Sequence, residues 1–169
     1  FFLGDSHSSA LWLGQEFIAN KTNSNFFTFT TAGNLFPSIK YFRTDIDDRK
    51  LRENSHQILD ALQKEIIKKS KKGDLIFINQ RLPYHFGDYW YDFPISIFRY
   101  FNEKGEIEIR NSKKIYFEEW LNKVDNLAKA LEKKSVKIIV SLPTPEFPKA
   151  RYKQCQYQNP QWFNKTIEN

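Results

Sequence analysis

The chain has 169 residues, a formal net charge of +6, and 40% hydrophobic against 27% charged residues. That balance fits one globular domain able to bury a core of its own, and it excludes a disordered or low-complexity chain. No stretch approaches the roughly 20 apolar residues of a membrane-spanning helix, and the single cysteine, Cys155, excludes an internal disulfide.

The first residues, Phe1-Phe2-Leu3-Gly4-Asp5-Ser6-His7-Ser8, run from a short apolar segment through a Gly-Asp-Ser turn straight into a helical pattern. This order puts Ser6 where a strand ends and a helix begins, beside backbone N–H groups that lack intrahelical partners. Such a serine is exposed, sharply turned and close to donors able to hold an oxyanion. The other reading is an N-cap, a position that Ser and Asp favour. The chain opens on a strand with no basic leader before an apolar segment, which predicts that residue 1 is an excision point within a longer protein.

Ser8 to about Lys21 reads as one helix with Leu11, Phe17 and Ile18 on one side. Asn20-Lys21-Thr22 and the tripeptide at Asn164 match a glycosylation sequon, which short sequences produce by chance. Phe26 to Thr31 alternates aromatic residues with threonine, the period of a strand, and runs into Ala32-Gly33-Asn34. Gly33 there permits positive φ and close backbone approach to a ligand, or serves as a plain turn glycine.

Leu51 to Ser70 carries helical spacing and is stopped by Gly73. His56 falls inside it with no second ligand at metal spacing, and reads as a surface or boundary histidine. The run Asp74-Leu75-Ile76-Phe77-Ile78-Asn79-Gln80-Arg81 predicts a strand buried on both faces, with polar groups gathered at its carboxyl end. In open α/β sheets that edge binds ligands. Asn79 either offers its amide there or simply ends the strand; Arg81 either contacts an acidic group or forms a surface ion pair.

From Leu82 to Pro94 the chain reads as a polar–aromatic loop. Its aromatics, Tyr84 among them, form either a platform for sugar rings or a lid packed on the body. His85, after a Pro-Tyr pair in that loop, reads as unsuited to act as a base. Asn102 to Glu106 predicts a turn before the alternating Ile107 and Ile109, a small hairpin insertion. Tyr116 to Ser135 is the most regular helix, and Val136 to Leu142 a further buried strand; Lys149 to Asn169 is irregular, polar and aromatic.

Helix followed by strand, repeated, argues for right-handed βαβ units in a parallel sheet of flavodoxin-like order. The lysines cluster as Lys64, Lys68, Lys69, Lys71, Lys72 and as Lys129, Lys133, Lys134, Lys137, in the last turns of two predicted helices and just beyond. Cations there complement the helix dipole, so the positive charge reads as a solvated face and not as a nucleic-acid surface.

Gly4-Asp5-Ser6-His7 at the end of the first strand, together with Leu142-Pro143-Thr144-Pro145-Glu146-Phe147, resembles the SGNH (GDSL-type) hydrolase superfamily. The resemblance is to the SGNH domains fused behind the membrane-spanning acyltransferase-3 domain of bacterial surface-polysaccharide O-acetyltransferases. It implies a three-layer α/β fold with a parallel sheet and helices on both faces, formed by a single domain over residues 1–169. It also implies an acyl-serine mechanism with Ser6 as nucleophile, and an oxyanion hole from the N–H of Ser6, the N–H of Gly33 and the side chain of Asn79. The usual Gly-x-Asn-Asp wording is absent around Asn79. Asp5, His7, Arg81 and Tyr84 are the substrate-binding candidates; as a sequence neighbour of Ser6, His7 points elsewhere and is not expected to be the base.

The family takes its base and orienting carboxylate from an Asp-x-x-His pair near the C-terminus, and no histidine follows His85 here. The expectation is therefore a C-terminally truncated domain lacking its last strand and helix; the alternative is a non-catalytic glycan-binding relative. The resemblance further implies acetyl transfer to a cell-surface carbohydrate, or hydrolysis, with no metal or dissociable cofactor. The acyl donor, the carbohydrate acceptor and the acyltransferase-3 domain would be its partners. The place implied is periplasmic or otherwise extracytoplasmic, tethered to the inner membrane. A response-regulator-like or nucleic-acid module is the remaining class, and only Asp5, as an acidic residue at the first strand, speaks for it.

Overall fold

The computed structural model describes residues 1–45, 49–86, 94–102 and 104–141, without the side chains of His7, Trp12, Pro83 and Tyr84. The short apolar run that opens the chain forms β1 (Phe2–Gly4), followed by α1 (Ser6–Ala10) and α2 (Trp12–Thr22). Next come β2 (Thr28–Thr30), β3 (Tyr41–Arg43), α3 (Arg49–Lys69), β4 (Leu75–Asn79) and α4 (Leu82–Phe86). A single 3₁₀ turn then leads to β5 (Phe98–Phe101), β6 (Ile107–Glu108), α5 (Lys113–Glu132) and β7 (Lys137–Val140).

Four strands pair in the order β2-β1-β4-β7, every neighbour parallel. This is the flavodoxin-like order expected from helix–strand alternation, and the helices flank the sheet in a three-layer α/β fold. One face of the sheet is dry: Leu3, Ile76 and Ile78 are fully buried. They pack against Leu59 and Ile66 of α3 and Trp120, Leu127 and Leu131 of α5. That apolar contact is where most of the burial energy lies, about 1.5–3 kcal/mol for each large side chain removed from water.

Three predicted elements take a different form. The first helix is interrupted at Leu11 (φ −90°, ψ 9°) and buries Gln15 and Ala19, while Leu11, Phe17 and Ile18 stay exposed. The aromatic loop begins as helix α4, with residues 87–93 outside the described residues. β7 is an edge strand among the described residues, with Ile139 45% and Val140 38% exposed, so the expected double burial holds for neither.

A second sheet, antiparallel in the order β3-β5-β6, adds the expected hairpin to a strand the sequence did not announce. The hairpin turn is held by the Asn102 carboxamide oxygen, which accepts from the N–H of Lys104 and of Glu106 at 3.0 and 2.9 Å. Positive φ at Gly105 (78°) closes it. His56 is another correction. It is buried, with Nε2 donating to the Tyr41 carbonyl at 3.0 Å and Nδ1 accepting from the Ser38 hydroxyl at 2.8 Å. Desolvation pushes its pKa down to about 4, so it is neutral at pH 7.

The lysine clusters lie on the surface as expected. Lys69 pairs with Glu65 and Lys129 with Asp125. Lys134 caps the end of α3, donating to the carbonyls of Ile67 and Lys68. No described helix is long and apolar enough to cross a membrane.

Candidate active site

The site is built at the carboxyl edge of the parallel sheet, where β1, β2 and β4 end side by side. Gly4 is in register with Thr30 on one side and with Asn79 on the other. Only glycine fits: a Cβ at Gly4 would stand 1.9 Å from the Asn79 carbonyl oxygen, and φ is +156°. This close approach brings the turn after β1 against the turn after β4.

Ser6 is exposed and begins α1. Asp5, just before it, is 2% exposed and pinned twice. Its carbonyl accepts from the Ser8 N–H at 3.0 Å. Its carboxylate Oδ2 accepts from the Arg81 N–H at 2.8 Å and from His85 Nε2 at 3.1 Å. His85 is fully buried, and its Nδ1 stands 2.5 Å from the Tyr41 hydroxyl. Asp5 and the Arg81 backbone are thus structural partners across the two turns, and the expected loop histidine is a buried member of α4 with both nitrogens engaged.

Gly33 follows β2 in the left-handed region (φ +67°), which favours glycine. Its carbonyl accepts from Arg52 of α3 at 2.6 Å, and the same guanidinium donates to the Asn34 side chain at 2.5 Å. With its carbonyl held on the helix side, the loop leaves the Gly33 N–H without an acceptor among the described residues. Downstream, Gln80 closes the loop onto β4: the Phe36 N–H donates to its Oε1 at 2.9 Å, and its Nε2 donates back to the Phe36 carbonyl. Trp120 Nε1 donates to that same carbonyl at 3.2 Å.

Asn79 is 8% exposed, and its Oδ1 accepts from the Ser141 hydroxyl at the end of β7. That bond uses the amide oxygen and leaves the NH₂ group as the donor end. Ser6, Gly33 and Asn79 therefore share one edge of the sheet, and Asp5 and the Arg81 backbone sit behind them. His7 and Tyr84 lie in α1 and α4 respectively, with their side chains outside the described residues, as is the whole stretch 142–169 that includes Cys155. Among the described residues no cluster of His, Cys, Asp and Glu could hold a metal ion.

Sequence reasoning passed over three residues of this edge. Gln80 carried a signal: strand alternation puts it on the same face as Ile76 and Ile78, where a polar group needs a partner. Arg52 and Tyr41 carried none, because their partners are distant in the chain.

An α/β sheet of this order, with a strand–Gly-Asp-Ser–helix turn at its carboxyl edge, defines the class of SGNH-type hydrolase folds. The family model described as "SGNH domain (fused to AT3 domains)" matches residues 1–168, and the chain belongs to that family. Membership supports acyl-group chemistry of the esterase or acyltransferase kind, and the description ties such domains to acyltransferase-3 partners. No curated protein and no solved structure gives a match.

Proposed function

We propose that this domain carries out serine-dependent O-acyl transfer, with acetyl as the expected acyl group and a cell-surface carbohydrate hydroxyl as the acceptor. Ser6 Oγ attacks the acyl carbonyl, forming an ester bond as the donor's leaving group departs with a proton. The sugar hydroxyl then attacks that ester, and Ser6 recovers its proton. The Ser6 and Gly33 N–H groups and the Asn79 amide hold the negative oxygen of each tetrahedral intermediate. His7, Arg81 and Tyr84 remain the candidates for contacting substrate, whereas Asp5, buried with its carboxylate engaged, holds the turn instead.

The observation that supports this reading best is the exposed serine at an edge where the Ser6 and Gly33 N–H groups have no described acceptor. The base and its carboxylate are proposed to come from sequence beyond these residues, in a longer polypeptide of which residues 1–169 form most of one domain. By family analogy that polypeptide holds the domain on the outer side of the inner membrane, where an acyltransferase-3 domain delivers the acyl group.

The test is covalent labelling of the complete polypeptide by an organophosphonate, beside Ser6→Ala. Labelling confined to the wild type, at Ser6, is expected; equal labelling of both would end the nucleophile assignment. One observation favours a second reading, a glycan-binding relative without turnover: both histidines with described side chains are buried with both ring nitrogens engaged, so neither is placed to act as a base. Acetylated-glycan binding without labelling at Ser6 would favour it.

A further inference from the structure

We infer that His85, braced by Tyr41, is a positioning residue for the serine turn: through the Asp5 carboxylate it fixes the direction of the Ser6 N–H. The inference rests on the reading of Ser6 as nucleophile and oxyanion donor.

The Asp5–Ser6 peptide is a rigid plane, in which the Asp5 C=O and the Ser6 N–H point in opposite directions. The Asp5 carbonyl is held inward by the Ser8 N–H at 3.0 Å. The Asp5 side chain adds a second hold, against rocking of the whole turn on the sheet edge. Its Oδ2 takes two donors from the segment after β4, the Arg81 N–H in the turn and His85 Nε2 in α4. Asp5 and His85 side chains are 3% and 0% exposed, so no water can replace a lost donor cheaply.

The orientation of His85 is set in turn. Nε2 must carry hydrogen to face the carboxylate, whether the ring is neutral or protonated, and Nδ1 meets the Tyr41 hydroxyl at 2.5 Å. Flipping the ring would set carbon against both partners. The ring is also packed edge-on against Tyr41 and tilted against Phe86. Tyr41 belongs to β3, so the small antiparallel sheet braces the serine turn through one histidine. Asn79 ends the strand from which the Arg81 turn departs, and the same carboxylate therefore keeps the serine and asparagine donors at a fixed spacing. A buried His–Asp contact kept only for stability would not have to end at the residue next to the serine.

The experiment measures the second-order rate of organophosphonate labelling and the thermal midpoint, in the complete polypeptide, for His85→Phe, His85→Gln, Tyr41→Phe and Leu127→Ala. The Gln side chain can donate from near the Nε2 position; Phe cannot. His85→Phe is expected to label Ser6 about tenfold more slowly, and Tyr41→Phe about threefold, with His85→Gln within about twofold of wild type. Leu127→Ala removes a fully buried side chain of α5 that belongs to the sheet–helix core and makes none of the hydrogen bonds to Asp5 or His85. It should lower the midpoint at least as much as His85→Phe and leave the labelling rate unchanged.

Wild-type labelling rates in both His85→Phe and Tyr41→Phe would overturn the positioning role while leaving Ser6 as the nucleophile. Equal slowing in Leu127→Ala would overturn it too, by showing that lost stability explains the effect. Should His85→Phe fail to fold, Tyr41→Phe decides, since it removes one hydroxyl and no packing. Absence of labelling at wild-type Ser6 would overturn the serine reading and this inference together, a result distinct from the other two.

Discussion

Two polar networks in this domain use similar chemistry to different ends. At the carboxyl edge of the parallel sheet, Asp5, His85 and Tyr41 form a line of buried hydrogen bonds that ends beside an exposed serine. On the antiparallel sheet, Glu119 of α5 accepts from the Tyr100 hydroxyl at 2.7 Å and from Arg110 at 2.5 Å, and that guanidinium lies 3.4 Å from the Tyr100 ring centre. Both join a carboxylate to a tyrosine and a basic side chain. The second sits partly in water, with Arg110 and Glu119 side chains 19% and 20% exposed, and rivets β5 to α5. The first is dry, and its carboxylate belongs to the residue that precedes the proposed nucleophile in the chain. Burial and position, not the kinds of group involved, separate an orienting network from a fastening one.

Ser6 separates the two networks most sharply. Ser6→Ala should abolish covalent labelling while shifting the thermal midpoint by less than about 2 °C, since the residue is exposed. Gly4→Ala follows: the new Cβ would meet the Asn79 carbonyl at 1.9 Å, and relief requires β1 to move away from β4. A loss on the order of 3 kcal/mol, or roughly 6–12 °C in midpoint, is expected, with labelling slowed as well.

Glu119→Gln sharpens the contrast from the other side. It should cost about 1–2 kcal/mol and leave the labelling rate of Ser6 untouched. The Tyr100 pKa, pushed up to about 12 first by burial and then by its bond to Glu119, should fall part of the way towards 10 in a spectrophotometric titration. A labelling defect in this variant would mean that the two networks are not separable.

The last effect, confined to acid pH, is a pH dependence at His56. Its pKa is about 4 in the folded chain and 6.5 in the unfolded one, so the unfolded state binds more protons between those values. The neutral, buried ring therefore contributes fully above about pH 6.5, and that stability is lost as pH falls towards 4. The difference in unfolding free energy between wild type and His56→Phe, followed by denaturant titration, should shrink over that window by at most about 3 kcal/mol. A difference independent of pH would mean that the ring titrates normally in the fold.

Much of this architecture was legible in the chain because it is encoded locally. Leu75–Asn79 is an apolar run bounded by turn residues and became a strand; the spacing of Trp120, Leu127 and Leu131 became the buried side of a helix. The placement of Ser6, Gly33 and Asn79 at one edge followed from strand ends in a parallel sheet. The first helix was misread as unbroken because nothing in its composition marks Leu11 as a stop. His56 was misplaced towards the surface, and His85 was placed in a loop. Their burial depends on partners that a window along the sequence does not contain.

What the sequence alone determined, then, is the alternation of strands and long helices that builds the parallel sheet, and the turn that begins with Ser6. Only the tertiary structure decided which polar side chains hold that turn: His85 on Asp5 across 80 residues of chain, Gln80 on Phe36 across 44, and Arg52 on Gly33 across 19. Periodicity and turn chemistry act over a few residues and write themselves into local order. A buried donor finds its acceptor only once the sheet has brought distant strand ends together, and no local pattern records that meeting.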